Sequence, residues 1–291
     1  MNETSDAAPT VSLPDGSRFP ALGLGTWHMG ERARSRSDEI AAVRLALQLG
    51  YRLIDTAEMY GEGGAEEVVG QALAESMRAG TLTRDEVFVV SKVYPHNASR
   101  QGVRDACERS RRRLGLGRID LYLLHWRGSH RLADTVAGFE SLIEHGHIAR
   151  WGVSNFDVDD MQELVGVKGG EACAANQVYY SLGERGAGFD LLPWLQRHAM
   201  PLMAYCPIDR GRIAGDTALQ QVADRHGATA TQVALSWVMQ QRGVMAIPKA
   251  VREEHLRENL ASASLQLSAE DLAAIDRRFP PPRAKTALAM A

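Results

Sequence analysis

Apolar residues along this chain fall into short runs that end on polar side chains, and helix-period stretches separate the runs. Arg52-Leu-Ile-Asp-Thr56, Val87-Phe-Val-Val-Ser-Lys92 and Ile119-Asp-Leu-Tyr-Leu-Leu-His125 read as strands. So do Leu22 to Gly25, Ala149-Arg-Trp-Gly-Val-Ser154, Ala175-Asn-Gln-Val-Tyr-Tyr180, Pro201-Leu-Met-Ala-Tyr205 and Val244-Met-Ala-Ile247. Between them, Ser37-Asp-Glu-Ile opens a helix with Ala41, Leu45 and Leu49 at helical spacing and Gly50 as its stop. Thr231 to Met239 is a second helix, with Trp237 expected in the core, and Ser268-Ala-Glu-Asp-Leu opens a terminal one with a cap pattern. Strands joined through helices pair in parallel, because a parallel pair needs a long crossover. Eight of them close a barrel. Val11 to Phe19 alternates around Asp15-Gly16, which predicts a tight hairpin plugging the barrel's bottom. The predicted fold is an α/β protein, a (β/α)8 barrel of the TIM type with an N-terminal hairpin plug and a C-terminal helix and tail.

Size agrees with one such barrel: the chain has 291 residues, 45% of them hydrophobic. Residues 1–10 are expected to be disordered and 11–291 to form a single domain. A net charge of −3 with scattered Lys and Arg offers no basic face for nucleic acid. The group Arg109, Arg111, Arg112 and Arg113 falls in a helix-period stretch and reads as a solvated helix face. No apolar run approaches the roughly 20 residues that span a bilayer, and Met1 to Pro9 lack the basic start and apolar core of a signal peptide. Cys107, Cys173 and Cys206 form neither a metal-ligand cluster nor an obvious disulfide set, so no metal and a reducing cytoplasm are expected. Cys206 is a candidate for modest reactivity.

The polar strand ends carry the candidate chemistry. A parallel barrel opens all its strand C-termini on one face, so Asp55, Tyr60, Lys92 and His125 are expected to converge there. Singly, each has a plainer role as a cap, a wall aromatic, a solvated strand end or a core histidine. Together they make an acid. Free tyrosine and lysine titrate at about 10 and 10.4, and an ammonium within about 4–6 Å favours phenolate and is expected to lower the tyrosine pKa. Asp55 keeps Lys92 charged, Tyr60 protonates an oxygen that is gaining negative charge, and His125 orients that oxygen. This suits carbonyl reduction and requires a hydride donor. No Gly-x-Gly-x-x-Gly follows the first strand; Gly23-Leu-Gly25 leads into Thr26-Trp27, not a helix, so a Rossmann site is excluded.

Seven strings resemble, in order, the aldo-keto reductase family: Gly23-Leu-Gly-Thr-Trp27, Asp55-Thr-Ala-Glu-Met-Tyr60-Gly61, Ser91-Lys92-Val93, Leu123-Leu-His125-Trp126, Gly152-Val-Ser-Asn-Phe156, Asn176-Gln177-Val-Tyr-Tyr180 and Ile247-Pro-Lys249. The resemblance runs from about Val11 to Phe279, and the tail Phe279-Pro-Pro-Pro-Arg283 places the chain nearest the family's bacterial aldehyde and methylglyoxal reductases. It implies a catalytic group of Asp55, Tyr60, Lys92 and His125. It also implies that Ser154, Asn155 and Gln177 bind a nicotinamide carboxamide, that Tyr205 stacks on the ring, and that Thr26 joins the cofactor site. Lys249 and His255 match the positions that grip the adenosine 2′-phosphate, and Glu258 and Asn259 the adenine contacts. Two positions depart from the family pattern: Ala250 replaces a Ser or Thr, and His255 replaces an arginine. NADPH is the implied cofactor through Lys249, with a contribution from Arg252, and NADH is a tolerated alternative in this reading.

Trp27 and Trp126 match aromatic walls of the substrate pocket. With short segments at Trp126 to Ala133 and after Phe279, that pocket is expected to be open and to take small aldehydes, 2-oxoaldehydes and simple ketones. Arg127 is a candidate for attracting acidic substrates. The expected protein is a monomer without membrane or nucleic-acid partners. Two other readings stand beside this one: a cofactor-binding, redox-sensing barrel subunit with little turnover, and a phosphate-dependent barrel enzyme using Lys92 as a Schiff-base amine.

Overall fold

The computed structural model describes residues 9–290. A hairpin of β1 (Thr10–Ser12) and β2 (Arg18–Pro20) comes first, pairing Val11 with Phe19. The barrel strands follow: β3 (Leu24–Gly25), β4 (Leu53–Asp55), β5 (Phe88–Val93), β6 (Leu121–Leu124), β7 (Trp151–Ser154), β8 (Asn176–Tyr179), β9 (Leu202–Tyr205) and β10 (Val244–Ala246). Between and after them lie α1 (Arg36–Leu49), α2 (Gly64–Arg78), α3 (Arg100–Leu114), α4 (Leu132–Glu144), α5 (Val158–Val165), α6 (Leu191–Arg197), α7 (Thr217–His226), α8 (Ala230–Gln240), α9 (Glu253–Ala261) and α10 (Ala269–Arg278). The sheet runs from β3 to β10 in sequence order, all parallel, and the bridges Leu22 to Ala246 and Gly25 to Lys249 close it. Gly25 is needed at that seam, since a Cβ there would stand 2.7 Å from the Ile247 carbonyl oxygen.

Strand alternation decides which side chains face the site. Leu53, Val90, Leu121, Leu123, Ala175, Met203 and Met245 fill the barrel interior together with Leu13 and Phe19 of the hairpin. Two residues beyond Leu53, Val90, Leu123, Ala175 and Met203 stand Asp55, Lys92, His125, Gln177 and Tyr205. The period of two therefore points all five inward at the top of the packed interior. The hairpin closes the other end, held by the Arg150–Asp15 ion pair at 2.5 Å and by Phe19 against Phe88, ring centroids 4.3 Å apart.

Several expectations are corrected. Thr10 opens β1 instead of belonging to a disordered end, while residues 1–8 lie outside the described residues. Helix α1 starts at Arg36, ahead of Ser37, and its buried stripe is Ile40, Val43, Ala46 and Leu47; Ala41 is exposed and Leu45 and Leu49 only half-buried. The buried stripe is one residue off the spacing read from Ala41. The arginine cluster is not uniformly solvated, because Arg113 reaches the buried Glu66 of α2 at 2.6 Å. Trp237 is buried in the core and Ser268 caps α10 reciprocally with Asp271, both as expected.

Asp271 also joins α10 to α7. Its carboxylate accepts from Arg225 and from His226, the latter at 2.8 Å, besides the Ser268 backbone and hydroxyl. Burial opposes its ionisation, but these hydrogen bonds outweigh burial and hold the carboxyl well below the usual range. A depressed folded-state pKa contributes stability that is present above the unfolded value and lost as pH falls through the folded one. Asp271→Asn is therefore expected to destabilise the protein by about 1–2 kcal/mol at neutral pH, as a lost helix cap does. The deficit should shrink in acid; urea unfolding at two pH values checks this, and a pH-independent deficit would contradict the ionised role.

Candidate active site

At the top of the barrel, Lys92 is fully buried and its ammonium meets four oxygens. Nζ donates to Asp55 Oδ1 and Oδ2 at 2.9 and 2.8 Å, to the Thr56 carbonyl at 2.9 Å and to Tyr60 Oη at 3.1 Å. Three protons on one nitrogen serve this set with the carboxylate as a bidentate partner. Lys92 has no lone pair to spare, which disfavours the Schiff-base reading. Tyr60 begins the turn after β4 and presents its ring edge to His125, centroids 5.7 Å apart. All four residues predicted to converge do so.

The electrostatics differ from the expectation. Burial pushes the Tyr60 phenol well above its ordinary value, and the Asp55 carboxylate pushes in the same direction. Lys92 is drawn down by burial, against which Asp55 holds its charge. The ammonium beside Tyr60 does favour phenolate, but the carboxylate directly behind it cancels much of that field, so desolvation wins. Tyr60 is thus a neutral phenol with a proton to give. Burial and then Lys92 lower His125 well below the usual histidine range, so the imidazole is neutral.

The predicted cofactor residues are joined to this group more closely than their spacing suggests. Gln177 Nε2 donates to Asp55 Oδ1 at 2.7 Å, in the barrel interior. Asn155, in the left-handed region at φ 58°, donates to Ser154 Oγ and to the His125 carbonyl, both at 3.1 Å. Its Oδ1 accepts from Tyr205 Oη at 2.8 Å. Asparagine tolerates that backbone conformation better than most residues. Tyr205 stacks on Tyr179, centroids 5.6 Å apart. Thr26 is fully buried, and both its amide and hydroxyl donate to the Asp55 carbonyl. It braces the end of β4 from behind and does not line the cavity, contrary to its expected place in the cofactor site.

A cavity of about 530 Å³ opens over these groups. Tyr60, His125, Trp27 and Trp126 line one part, and Ser154, Asn155, Gln177 and Tyr205 another. Lys249 and His255 line it too, whereas Glu258 and Asn259, on α9, do not. The segment after β9 also contributes Cys206, Ile208 and Arg210, and the tail contributes Met290. Neither was read from the sequence as cavity wall. The positive φ of Cys206, Asp209, Arg210 and Gly211 folds that segment over the barrel mouth, with the Arg210 guanidinium 5.1 Å from the Trp27 ring centroid. Lys285 pairs with Asp157 and Asp190 at 3.2 and 3.3 Å and brings the tail across, so the mouth is more covered than expected.

Two further expectations fall. Arg127 is turned to the Gly128 and His130 carbonyls and to Glu163 at 3.0 Å, away from the cavity, which Arg210 lines together with Lys249. Burial raises the Cys206 thiol, outweighing its hydrogen bond with Arg210, which leaves it less reactive than an ordinary thiol. A buried support lies behind the wall: Glu58 accepts from the Tyr94 amide at 2.7 Å and from Asn97 at 3.1 Å, tying the loop before Tyr60 to the loop after β5. Among the described residues there is no cluster of metal-ligating side chains and no helix long and apolar enough to cross a membrane.

The residues fit a dinucleotide. An aromatic face, two amides and a hydroxyl gather near Tyr60, which suits a planar ring bearing a carboxamide. Lys249 and His255 supply the donors that a phosphate needs.

Comparison with known proteins agrees. The aldo/keto reductase family pattern matches residues 21–278. The chain is 51% identical to methylglyoxal reductase YeaE of Escherichia coli (strain K12) over 277 residues, covering 94% of this chain and 95% of that protein. It is 34% identical to glyoxal reductase of Bacillus subtilis (strain 168) over 268 residues, covering 92% and 91%. A crystal structure of an aldo/keto reductase from Klebsiella pneumoniae in complex with NADP and acetate is 47% identical and superposes with a TM-score of 0.93, covering 98% of this chain and 100% of that one. A second from the same organism, in complex with NADPH, gives 0.92 at the same identity and coverage.

Proposed function

This chain belongs to the aldo/keto reductase family, an NADPH-dependent class of carbonyl reductases, and on that premise we propose that it reduces small aldehydes, 2-oxoaldehydes and ketones to alcohols with Tyr60 as the general acid. The observation that carries the reading is the contact of Lys92 with both Tyr60 Oη and Asp55, placed beside Gln177 in one cavity. Bound reduced nicotinamide supplies the hydride.

The residues do the rest. Trp27, Trp126 and Met290 give an apolar wall to a small carbonyl compound. His125, neutral, offers a hydrogen bond to the carbonyl oxygen and fixes which lone pair faces Tyr60. As negative charge develops on that oxygen, the Tyr60 phenol gives it a proton. Lys92 then stabilises the phenolate left behind, and Asp55 keeps the ammonium charged and aimed. Gln177, braced on Asp55, and Asn155, braced on Tyr205 and Ser154, hold amide groups where a carboxamide is bound. The substrate class rests on the size and apolar lining of the cavity together with relatives named as methylglyoxal and glyoxal reductases. The three cysteines are free thiols, which suits a reducing cytoplasm.

The test is steady-state NADPH oxidation by the pure protein with methylglyoxal, glyoxal and simple aldehydes and ketones. Turnover is expected with the 2-oxoaldehydes; saturable NADPH binding without turnover of any carbonyl would instead support the redox-sensing subunit. A pH profile tests the acid. Because the Tyr60 pKa is raised, the phenol keeps its proton beyond the ordinary tyrosine value of about 10, and the lowered His125 stays uncharged below about 6.5. The kcat for reduction should therefore be level between these values when chemistry limits it. Alcohol oxidation, which needs phenolate as the base, should rise with pH. A reduction rate that falls tenfold per pH unit from neutrality upward would rule out a high-pKa acid.

A further inference from the structure

Lys92 and Tyr60 come from different elements, and their 3.1 Å contact requires that the turn after β4 be held at a fixed distance from β5. Strand β5 is firmly placed, paired with β4 on one side and β6 on the other. The turn is not part of the sheet. It runs from Tyr60 to Gly63, with positive φ at Gly61, Glu62 and Gly63, and leads directly into α2. Side chains alternate along β5, so that Lys92 points into the barrel and Ser91 points outward. There the fully buried Ser91 donates its Oγ proton to Glu66 Oε1 at 2.5 Å.

Glu66 lies in the first turn of α2, just beyond the Tyr60 turn, and is fully buried. Its other oxygen, Oε2, accepts from Arg113 Nε of α3 at 2.6 Å. That arginine lies so close to Gly63 that a Cβ there would stand 2.6 Å from its Cδ and Nε. One carboxylate thus joins β5, α2 and α3 beside the turn that carries Tyr60. Burial pushes the Glu66 carboxyl up, and Arg113 and then Ser91 oppose it. A second tie comes from Glu58, which holds the Tyr94 amide, while Tyr94 Oη donates to Glu62 at 3.1 Å. The turn is therefore held at two points.

We propose that Glu66 is a positioning residue for the reaction: through Ser91 and Arg113 it fixes the start of α2 against β5, and so sets the distance between the Tyr60 hydroxyl and the Lys92 ammonium. It does not line the cavity. Its effect falls on proton transfer, because the phenolate formed at Tyr60 is stabilised more strongly the closer the ammonium stands. Cofactor binding, served by Ser154, Asn155, Gln177 and Lys249 on other elements, is left as it was. The inference rests on Tyr60 being the general acid.

The experiment compares the parent with Ser91→Ala, Glu66→Met and Glu66→Gln, and with Glu67→Gln as a control, since Glu67 is exposed on the same turn and pairs with Arg36 at 2.9 Å. For each, the single-turnover rate of reduction of an aldehyde that the parent reduces, its solvent deuterium isotope effect and the NADPH dissociation constant are measured. Ser91→Ala deletes one oxygen and leaves the Glu66–Arg113 pair intact. It and Glu66→Met should slow the chemical step by about tenfold, less than the roughly 10²-fold that a misplacement of about 1 Å can cost, because the Glu58 tie remains. NADPH affinity should be unchanged, and the solvent isotope effect should grow as proton transfer becomes the harder part of the step. Glutamine at 66 still accepts from Arg113 and meets the Ser91 hydroxyl, so Glu66→Gln should keep most of the rate, and Glu67→Gln all of it. An unchanged chemical step in Ser91→Ala and Glu66→Met would overturn the proposal. So would a slowed step with an unchanged isotope effect, which a general loss of structure would give, or a loss in Glu66→Gln as large as in Glu66→Met, which would make charge and not geometry the agent. If Glu66→Met does not fold, Ser91→Ala decides alone. Tyr60→Phe in the same series separates the two readings: a retained chemical step there removes the acid itself, whereas a loss there with none in Ser91→Ala removes only the role of Glu66.

Discussion

Replacing Tyr60 by phenylalanine should lower kcat for aldehyde reduction by about 10²–10⁴-fold, the usual worth of general acid catalysis, while NADPH affinity stays nearly as it was. The substitution removes one hydroxyl, the one that Lys92 Nζ contacts at 3.1 Å, and leaves the ring in place against His125. Before the reaction the phenol is a weaker acid than free tyrosine, since burial and Asp55 hold its proton on against the pull of the ammonium. Its competence arises during transfer. As the substrate oxygen becomes negative the proton moves toward it, and the adjacent ammonium meets the new phenolate at hydrogen-bond distance in a water-poor site, where such stabilisation is large. Transient kinetics isolates the chemical step. A loss smaller than tenfold in that step would show that another group supplies the proton.

Lys92→Met should be about as damaging to catalysis and far more damaging to stability. Asp55 is 2% exposed, and removing the ammonium leaves its carboxylate with Gln177 as its remaining side-chain donor. An unpaired buried charge costs about 3–5 kcal/mol, enough to lower Tm visibly. The double change Asp55→Asn with Lys92→Met removes both charges and should recover most of that stability without recovering activity. This separates the two roles of the pair. If the double variant were as unstable as Lys92→Met alone, the loss would come from packing and not from the stranded carboxylate. If Lys92→Met kept its kcat, the ammonium would not be acting on Tyr60.

Much of this protein was legible along the chain because strand periodicity is a local property. Runs such as Val87 to Lys92 and Ile119 to His125 carry their own alternation, and parallel connection through helices leaves one face for their C-terminal ends. That logic alone brings Asp55, Tyr60, Lys92 and His125 together, whereas Ser154, Gln177 and Tyr205, which line the same cavity, are implied for the cofactor site by the family resemblance. The buried side of α1 lies one residue from the expected one, because amphipathic spacing fixes a helix's period but not which neighbour it meets.

The remainder was decided only by tertiary structure, where distance in sequence ceases to matter. No local signal joins Gln177 to Asp55, 122 residues away, or brings Met290 to the cavity from the end of the tail. The direction of the Tyr60 shift is of the same kind. From residue types, a nearby lysine lowers a phenol's pKa; only the folded core sets how much water is lost and that Asp55 stands directly behind the ammonium. His255 follows suit, since it looks like a weakened phosphate ligand in the sequence and meets the Arg252 guanidinium once helix α9 forms. Residue type and periodicity are written in the chain, but burial and the nearest charge are properties of the packed whole, and those two quantities set pKa values and hydrogen-bond partners.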